Sequence, residues 1–382
     1  MQLVQLRLQN FRNHIDSTFE FSDGANVLLG DNGQGKTNVI EAISYLCLTK
    51  SFYASNDTLA LNFGKDVFEV EGNFALERGV PSAVRIAYSQ SQNEKVFTIN
   101  KRRIEPFSSV IGKFPIVICS PEHTPITIAG PSERRRFVDF VISQSNSLYF
   151  QNLIEYRRVI RHRSKILFDA KVLRNNPEAL LEPWDEQLVT LGSAITHKRN
   201  QFIGEFRGFI SSAYHHLVGI EEEPAIEYKP MVDITLNTQE SEISEMLRSE
   251  LFERRGEELR FGTSLVGPHR DEFLLKINGL DLRKFASQGQ HKTYLVALKI
   301  GEFFYLKERC SETPILLLDD VFSELDEHRA EHLLNFVREL SQTVITSTNR
   351  NFFDSVLSFG ERDRKILIHN GSVVEYHPIA VS

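Results

Sequence analysis

The chain has 382 residues, with 44 Lys+Arg against 51 Asp+Glu and a formal net charge of −7. With 41% hydrophobic and 25% charged residues, it has the composition of a globular protein with room for a large core and several domains. No uncharged apolar run approaches the roughly 18 residues of a membrane span, and charged residues interrupt the N-terminus where a signal peptide would be apolar. Three scattered cysteines exclude a disulfide framework, so we expect a cytoplasmic protein.

The charge is distributed unevenly along the chain. Residues 101–200 carry 16 basic and 10 acidic side chains, whereas residues 221–258 carry 12 acidic and 4 basic ones. Such asymmetry is more informative than the net value, because it predicts a mild basic surface on an otherwise acidic protein.

The first part of the chain alternates strand and helix signals. Residues 1–11 alternate apolar and polar side chains, which predicts a strand, and a second strand is predicted at 18–21. The apolar strand 27–29 runs into a glycine-rich loop, and helical spacing follows from 37 to 48. Residues 66–118 are rich in strand signals and are expected to form hairpins at the edge of a sheet.

The middle of the chain has a different character. Residues 131–219 show long helical patterns, with breaks predicted at 175–177 and at Pro183, and another helix is predicted at 239–255. Beyond them, strands are predicted at 273–277, 315–318, 343–347, 365–369 and 372–376, and helices at 290–309 and 327–340. The sequence therefore predicts an α/β domain made of residues 1–119 and 258–382, with a mainly helical lobe at 120–257 inserted between them.

The glycine-rich loop matches the phosphate-binding pattern G-x-x-x-x-G-K-[ST]. Its residues are Gly30, Asp31, Asn32, Gly33, Gln34, Gly35, Lys36 and Thr37. The glycines allow backbone N–H groups to surround phosphate oxygens, and the helix N-terminus adds positive potential. Lys36 is predicted to neutralise the β- and γ-phosphates, and the Thr37 hydroxyl to ligate Mg²⁺.

A magnesium site of this kind also needs an acid at the end of a neighbouring buried strand. Residues 315–320 read Ile-Leu-Leu-Leu-Asp-Asp. Asp319 is the candidate for the metal, and Asp320 for orienting or deprotonating the attacking water. The alternative, an apolar strand that ends in two solvated acids, is common in isolation but less so beside a phosphate-binding loop.

Residues 285–290 precede the helix that leads to this strand. Ser287 alone could simply cap that helix. Its position about 30 residues before Asp319 is, however, where ABC-type ATPases carry a signature sequence that contacts the γ-phosphate bound by the opposite subunit. Residues 323–326 are similar to the D-loop of such enzymes, and Thr348 lies at the position of their γ-phosphate switch.

Together these motifs make the sequence resemble the RecF family of bacterial DNA replication and repair proteins, which are related to the heads of SMC ATPases. The matching segments are 10–13, 33–38, 121–122, 134–139, 267–271, 287–290 and 317–326, so the resemblance covers essentially the whole chain. It implies an ABC-type ATPase head with an inserted helical lobe and no long coiled coil. It also adds Arg12, Asn38 and Gln290 to the expected nucleotide contacts.

The resemblance further implies ATP and Mg²⁺ as cofactors, an ATP-dependent homodimer with Ser287 acting across it, and weak DNA-dependent ATP hydrolysis. DNA with gaps or junctions, RecO and RecR are the implied partners, with roles in recombinase loading and the SOS response. Two departures stand out. The signature reads Ser-Gln-Gly-Gln where transporters have Ser-Gly-Gly-Gln, and Asp320 stands where most ABC ATPases have glutamate, which implies slow hydrolysis. His291-Lys292 also replaces an expected Gln-Arg pair.

Basic residues of the lobe are the candidates for DNA contacts. They are Arg134, Arg135, Arg157, Arg158, Arg161 and Lys165. The last four share one face of a predicted helix, which suits a phosphate backbone. A solvated helix face is the alternative, and the cluster at 134–136 could instead brace the lobe against the head through Asp139 or Glu133.

Other functional classes fit the sequence less well. A transporter subunit has its signature closer to the phosphate-binding loop, an SMC protein needs very long heptad arrays, and only about 60 residues follow Asp320 where a nuclease module would stand. The His269-Arg270-Asp271 segment is expected to organise the nucleotide site or the interface of the lobe, and His215-His216 to be structural. The alternative that remains is an ABC-type ATPase that regulates a protein assembly without binding DNA.

Overall fold

The computed structural model describes residues 1–218, 222–324, 327–356 and 362–378. The strands are β1 (Gln2–Phe11), β2 (His14–Glu20), β3 (Ala25–Leu29), β4 (Val67–Ala75), β5 (Ser82–Ser89), β6 (Glu94–Ile99), β7 (Arg102–Arg103), β8 (Ile116–Cys119), β9 (Pro224–Lys229), β10 (Glu272–Ile277), β11 (Leu280–Asp281), β12 (Ile315–Asp319), β13 (Thr343–Ser347), β14 (Arg364–His369) and β15 (Ser372–Pro378). The helices are α1 (Lys36–Leu48), α2 (Pro125–Ile128), α3 (Pro131–Ser145), α4 (Ser147–Leu173), α5 (Glu178–Val218), α6 (Glu240–Phe261), α7 (Leu282–Phe285), α8 (Gln288–Arg309), α9 (Glu327–Arg338) and α10 (Arg350–Val356).

The chain divides into two compact units. The first contains Met1–Thr124, Ser212–Glu221 and Ser287–Ser382, and the second contains Pro125–Ser211 and Glu222–Ala286. Residues 258–286 therefore group with the helical part rather than with the α/β part, where the sequence interpretation had placed them. The physical reason is that β10 pairs with β9, so the strand is joined by its hydrogen bonds to the second unit.

The first unit contains a mostly parallel sheet in the order β15-β14-β3-β13-β12-β8. The strands β3, β12 and β13 are buried along their whole length, which explains the mostly apolar sequences of β3 and β12; β13 also buries Thr343, Thr346 and Ser347. Parallel registers bring Asp319 opposite Thr346 and Ser347 opposite Leu29. Consequently the carboxyl ends of these three strands, and the loops that follow them, meet at one edge of the sheet.

A second sheet of this unit is antiparallel, in the order β2-β1-β4-β5-β6-β7. Strands β4 to β7, predicted as hairpins at the edge of a sheet, therefore belong to this antiparallel sheet together with β1 and β2. Of the strands between residues 66 and 119, β8 alone joins the parallel sheet. Helix α1 contacts strands of both sheets and is buried on almost every side. Its close approach to β4 requires Gly72, where a Cβ atom would lie 2.4 Å from Cδ1 of Leu46.

The second unit is built mainly from α3, α4, α5 and α6, with the small antiparallel sheet β11-β10-β9. The predicted break after α4 is present, since Arg174 caps this helix in the left-handed conformation with φ of 54°. The break predicted at Pro183 is wrong, because α5 continues through this residue. Pro183 lies in the second turn of α5, where one missing N–H costs a single hydrogen bond that tertiary packing outweighs.

The described residues contain no helix that is both long and apolar enough to cross a bilayer. Cys47 and Cys119 are buried free thiols, and burial raises the pKa of each above its ordinary value. Both act as small apolar side chains of the core, as three isolated cysteines in the sequence suggest.

Candidate nucleotide-binding site

The glycine-rich loop connects β3 to α1, so its backbone leaves a buried strand and turns directly into a helix N-terminus. Gly33 and Gly35 adopt φ of +79° and +106°, a region that residues with a Cβ atom rarely enter. A Cβ atom on Gly35 would also lie 2.6 Å from Oδ1 of Asn13 and 2.8 Å from Nε2 of His14. The loop conformation therefore depends on glycine at these positions, while Asp31, Asn32 and Gly33 remain exposed to a ligand.

Lys36 lies at the centre of this loop. Its Nζ donates hydrogen bonds to the carbonyl oxygens of Gly30, at 2.7 Å, and Asp31, at 2.8 Å. Burial lowers the pKa of Lys36 from its ordinary value, although the nearby carboxylates of Asp320, Asp319 and Asp31 oppose the shift. The ammonium group is thus held where a polyphosphate would meet both it and the N–H groups of the loop.

Three side chains converge beside the first turn of α1. Oδ1 of Asp319 accepts hydrogen bonds from the hydroxyls of Thr37, at 2.8 Å, and Thr346, at 2.7 Å, and Oγ1 of Thr346 accepts one from the backbone N–H of Asp320 at 2.9 Å. Asp320 has φ of +52°, which turns the chain sharply at the end of β12. The parallel register of β12 and β13 positions this cluster next to Lys36.

The donor set of this cluster suits Mg²⁺. A hydroxyl and a carboxylate supply the hard oxygen ligands that the ion prefers. Asp319 is buried, and burial raises the pKa of its carboxyl. A divalent cation would compensate this buried negative charge, so Thr37 and Asp319 are the residues that would hold the ion. Among the described residues no group of three or more His, Cys, Asp or Glu side chains forms an alternative metal site.

Several residues that support the loop carry no motif in the sequence. His14 places Nε2 3.1 Å from the carbonyl oxygen of Gly35 and Nδ1 2.7 Å from that of Gly371. Asn13 accepts a hydrogen bond from Asn38 at 2.7 Å and donates one to the carbonyl of Gly33 at 3.3 Å. Asn38 contacts Asn13, and its expected contact with the nucleotide stays a prediction. The sequence signal for this support was the family-matching segment 10–13, which is followed directly by His14.

Arg12 takes part in an ion pair rather than in the phosphate-binding loop. Its Nε and Nη2 each donate to the carboxylate of Glu41 at 2.8 Å, and Nη1 donates to the carbonyl of Leu59 at 2.6 Å. Glu41 is buried on α1 and also accepts a hydrogen bond from Ser51. This pairing orients the guanidinium, and the nucleotide contact expected for Arg12 stays a prediction.

The signature segment begins α8. The hydroxyl of Ser287 accepts from the N–H of Gln290 at 3.2 Å, and the Gln290 side chain accepts from the N–H of Ser287 at 2.9 Å, so the pair forms a capping box. The capping role considered for Ser287 is therefore present. Ser287 is exposed, and so is Thr348 after β13. In the D-loop, Ser323 donates to the carbonyl of Asp320 at 2.8 Å, while residues 325 and 326 lie outside the described residues.

The basic candidates in the second unit separate into two groups. Arg134 is buried, pairs with Glu272 at 3.0 Å and donates to the carbonyl of Ala129, so it is not presented to a phosphate. It braces α3 against β10 within the second unit, and not through Asp139 or Glu133 as the sequence alternative proposed. Arg157, Arg158, Arg161 and Lys165 are all exposed along α4, and Arg135 is half-buried.

The His269-Arg270-Asp271 segment belongs to a buried network of the second unit. Arg199 donates to Asp271 at 2.9 Å and to Asp139 at 2.8 Å, and Tyr228 also donates to Asp271. His269 lies 2.7 Å from the hydroxyl of Tyr156. These contacts stabilise the helical unit, while His216 packs on Phe336 in the first unit.

Comparisons with known proteins agree with this geometry. The family model of the RecF/RecN/SMC N-terminal domain matches residues 2–362. The DNA replication and repair protein RecF of Salinibacter ruber is 40% identical over 361 residues, which cover 94% of this chain and 87% of the relative. RecF of Chloroherpeton thalassium is 42% identical over 360 residues, covering 93% of this chain and 97% of the relative.

Solved structures are similar over the same length. The recombination mediator protein RecF-ATPrS in the RecFOR pathway is 32% identical, with a TM-score of 0.88 over 97% of both chains. An SMC head bound to the C-winged helix domain of ScpA has a TM-score of 0.56 at 13% identity, which supports the fold alone. The predicted fold class is therefore confirmed, and the chain belongs to the RecF family of DNA replication and repair proteins, with the fold of an ABC-type ATPase head.

Proposed function

We propose that this chain is an ATP-switched DNA-binding protein of recombinational repair, which dimerises on ATP, holds gapped or junction DNA and releases it after hydrolysis. The observation that carries the proposal is the contact of Thr37 with Asp319, residues 282 positions apart, beside the ammonium group of Lys36. This arrangement joins a phosphate-binding loop to a buried carboxylate and has no evident purpose in a purely structural protein.

The roles in hydrolysis follow from the positions of the side chains. Lys36 and the N–H groups of residues 30–37 neutralise the phosphates, and Thr37 with Asp319 would hold Mg²⁺, which supplies charge stabilisation for phosphoryl transfer. Asp320 is the candidate for orienting the attacking water. Because its side chain is one methylene shorter than that of glutamate, we expect weak hydrolysis, which suits a switch rather than a motor.

The exposed N-terminus of α8 supports a composite site. Ser287 and Gln290 already satisfy each other in the capping box. The N–H groups of Gln288 and Gly289, also in the first turn, can therefore donate hydrogen bonds to an anion carried by another molecule. An ATP-driven homodimer would place this turn against the γ-phosphate held by the partner's loop, and Thr348 would sense the same group.

Light scattering of the purified protein without nucleotide, with ADP and with ATP tests the composite site. We expect the mass to double with ATP only, and Ser287→Arg to remain monomeric because an arginine fills the space of the phosphate. Ser109→Arg, which places the same side chain on another exposed part of the first unit, should dimerise normally. A mass that stays constant with ATP would contradict the mechanism.

DNA binding is proposed for the exposed face of α4. RecR and RecO are the proposed partners, as the pathway of the solved relative suggests. We expect ATP to increase retention of gapped duplex at low salt in the wild type, and Lys36→Met to abolish the increase. If neither protein retains DNA with ATP present, the alternative of an ATPase that regulates a protein assembly without DNA is favoured.

A further inference from the structure

The second unit contains a cavity of about 330 Å³ between α3, α4 and α5 and the turn at 268–269. This volume is within the range of small-molecule sites. It is lined by residues of two kinds, arginines at the rim and apolar side chains deeper in. All of these residues belong to the second unit, whereas the phosphate-binding loop belongs to the first.

The rim has an excess of positive charge. Arg135, Arg136 and Arg157 all line the cavity. Among the residues that the structure describes, none of the three forms an ion pair; Arg135 donates one hydrogen bond, to the carbonyl of Asp271, at 2.6 Å. The lining carboxylate, Asp139, does not balance them because Arg199 already pairs with it at 2.8 Å. Burial and the nearby Arg199 lower the pKa of Arg135, and the carboxylates of Asp271, Glu272 and Asp139 oppose the shift.

Other parts of the lining are apolar or already satisfied. Leu153, Ile160, Ile195 and Pro268 contribute hydrocarbon surface. The hydroxyl of Tyr156 is engaged with Nδ1 of His269, whose Nε2 lies 3.2 Å from the carbonyl oxygen of Ser264. These two polar groups therefore satisfy each other, and the ring of Tyr156 acts as part of an apolar wall.

We propose that this cavity binds a phosphate monoester attached to a planar base, either a free nucleoside monophosphate or the phosphorylated end of a DNA strand. A dianionic phosphate matches three guanidinium groups, which bind phosphate oxygens in pairs of hydrogen bonds. The base would lie on the apolar wall, where burial of its faces is favourable. A backbone phosphodiester carries one charge rather than two, so it matches the three guanidinium groups less well.

Titration calorimetry of the full chain with dAMP, deoxyadenosine and inorganic phosphate tests the site. Replacing Arg136 and Arg157 together by glutamine should weaken dAMP binding about tenfold or more, because two charge-assisted contacts are lost. The matched control is Arg78→Gln with Arg102→Gln, which removes the same charge from exposed positions of the first unit and should change the affinity less than about twofold. Deoxyadenosine should bind at least about tenfold more weakly than dAMP.

Nucleotide that binds at the phosphate-binding loop contributes equally to the heat measured for the wild type and for both double variants. The difference in dAMP affinity between the two double variants therefore reports on the cavity. All four arginines are exposed or at the rim, and the thermal unfolding midpoints of the variants should match that of the wild type. Equal loss of dAMP affinity in both double variants, or equal binding of dAMP and deoxyadenosine, would overturn the proposal.

A hairpin duplex with one open end distinguishes the two sources of the ligand. It is prepared with a 5′-phosphate, with a 3′-phosphate, and with neither. If the wild type and the control variant bind one phosphorylated hairpin more tightly than the other two, while the cavity variant does not, the site is assigned to a strand end. Equal binding of all three hairpins, together with cavity-dependent dAMP binding, assigns it to a free nucleotide. Ser287→Arg should leave dAMP binding intact, so failure of the proposed dimer switch is distinguishable from failure of the cavity.

Discussion

At the scale of single residues, Thr346 shows how a side chain without a motif can organise the site. Its hydroxyl donates to Oδ1 of Asp319 at 2.7 Å and accepts from the N–H of Asp320 at 2.9 Å. It therefore fixes both acids at the end of β12 relative to Thr37. Partners of this kind determine how a metal ligand is oriented, and their loss costs activity even though they touch no substrate.

Replacing Thr346 by valine keeps the shape of the side chain and removes the hydroxyl. We expect ATP turnover to fall about 10- to 100-fold. Thr346→Ser should retain most of the activity. The control is Thr343→Val, a buried threonine on the same strand whose hydroxyl bonds only to backbone carbonyls remote from Asp319. Comparable turnover in the two valine variants would contradict a positioning role.

His269 gives the helical unit a dependence on pH. Burial lowers its pKa to about 4, from an ordinary value of 6.5. The unfolded chain therefore takes up a proton at a higher pH than the folded one. The stability that this histidine contributes is complete above about pH 6.5 and is lost progressively as the pH falls towards 4.

We expect the free energy of unfolding of this unit to fall by roughly 2–3 kcal/mol between pH 7.5 and pH 4 because of this group. Fluorescence of Trp184, the only tryptophan of the chain, follows the unfolding of α5 in urea. His269→Gln should flatten the pH dependence. An unchanged slope in His269→Gln would show that other groups cause the acid sensitivity.

At the scale of elements, two hairpins with the same turn sequence have different surroundings. Both contain Asn-Gly at the turn: Gly371 between β14 and β15 has φ of +70°, and Gly279 between β10 and β11 has φ of +77°. A Cβ atom on Gly279 would meet nothing within 4 Å, whereas one on Gly371 would lie 2.2 Å from the carbonyl oxygen of Asn13. The β14–β15 turn is therefore packed under the phosphate-binding loop, whereas Gly279 of the other turn has open space around it.

Gly371→Ala and Gly279→Ala consequently separate backbone strain from packing. Both should lose about 1–2 kcal/mol of unfolding free energy through the left-handed conformation. Gly371→Ala should lose about 1–3 kcal/mol more through overpacking. It should also weaken ATP binding, because Gly371 donates to the carbonyl of Gln34 at 3.0 Å. Equal losses in the two variants, with unchanged ATP affinity, would exclude the support proposed for this turn.

At the scale of the whole molecule, the net charge of −7 conceals an unequal division between segments. The structure places Arg157, Arg158, Arg161 and Lys165 on the exposed side of α4, while Arg134, Arg163 and Arg199 are buried in ion pairs. Only part of the positive charge counted in residues 101–200 thus reaches solvent. A surface of this limited charge favours DNA binding that depends on salt and on dimerisation.

Replacing Arg158 and Arg161 together by glutamine should weaken ATP-stimulated binding to duplex DNA without abolishing ATP-driven dimerisation. The slope of the logarithm of the binding constant against the logarithm of salt concentration should decrease in magnitude by about 2, since each phosphate contact contributes about 0.9. Lys101→Gln with Arg102→Gln removes two exposed charges from the first unit and serves as the control. An equal change of slope in both variants would indicate a nonspecific charge effect rather than contact along α4.

Much of the fold was predictable because its signals are local. The buried strands β3 and β12 have mostly apolar sequences, and the glycine pattern before α1 defines its own turn. Strand β9 was missed, because its sequence, Pro-Ala-Ile-Glu-Tyr-Lys, has little strand propensity and is stabilised by pairing with β10. Pro183 was misjudged for the opposite reason, since a local signal was outweighed by packing.

The sequence by itself determined the family, the phosphate-binding loop and the acids at the end of β12, because each depends on residue types at fixed spacing. Only the tertiary structure decided which charged side chains are exposed to solvent and which are buried in ion pairs. Arg134 and Arg157 look alike in the sequence, but one is buried against Glu272 and the other is exposed at a cavity. That difference arises from contacts between residues far apart in the chain, which no local pattern encodes. The same holds for Arg12 with Glu41 and for Gly371 beneath the loop.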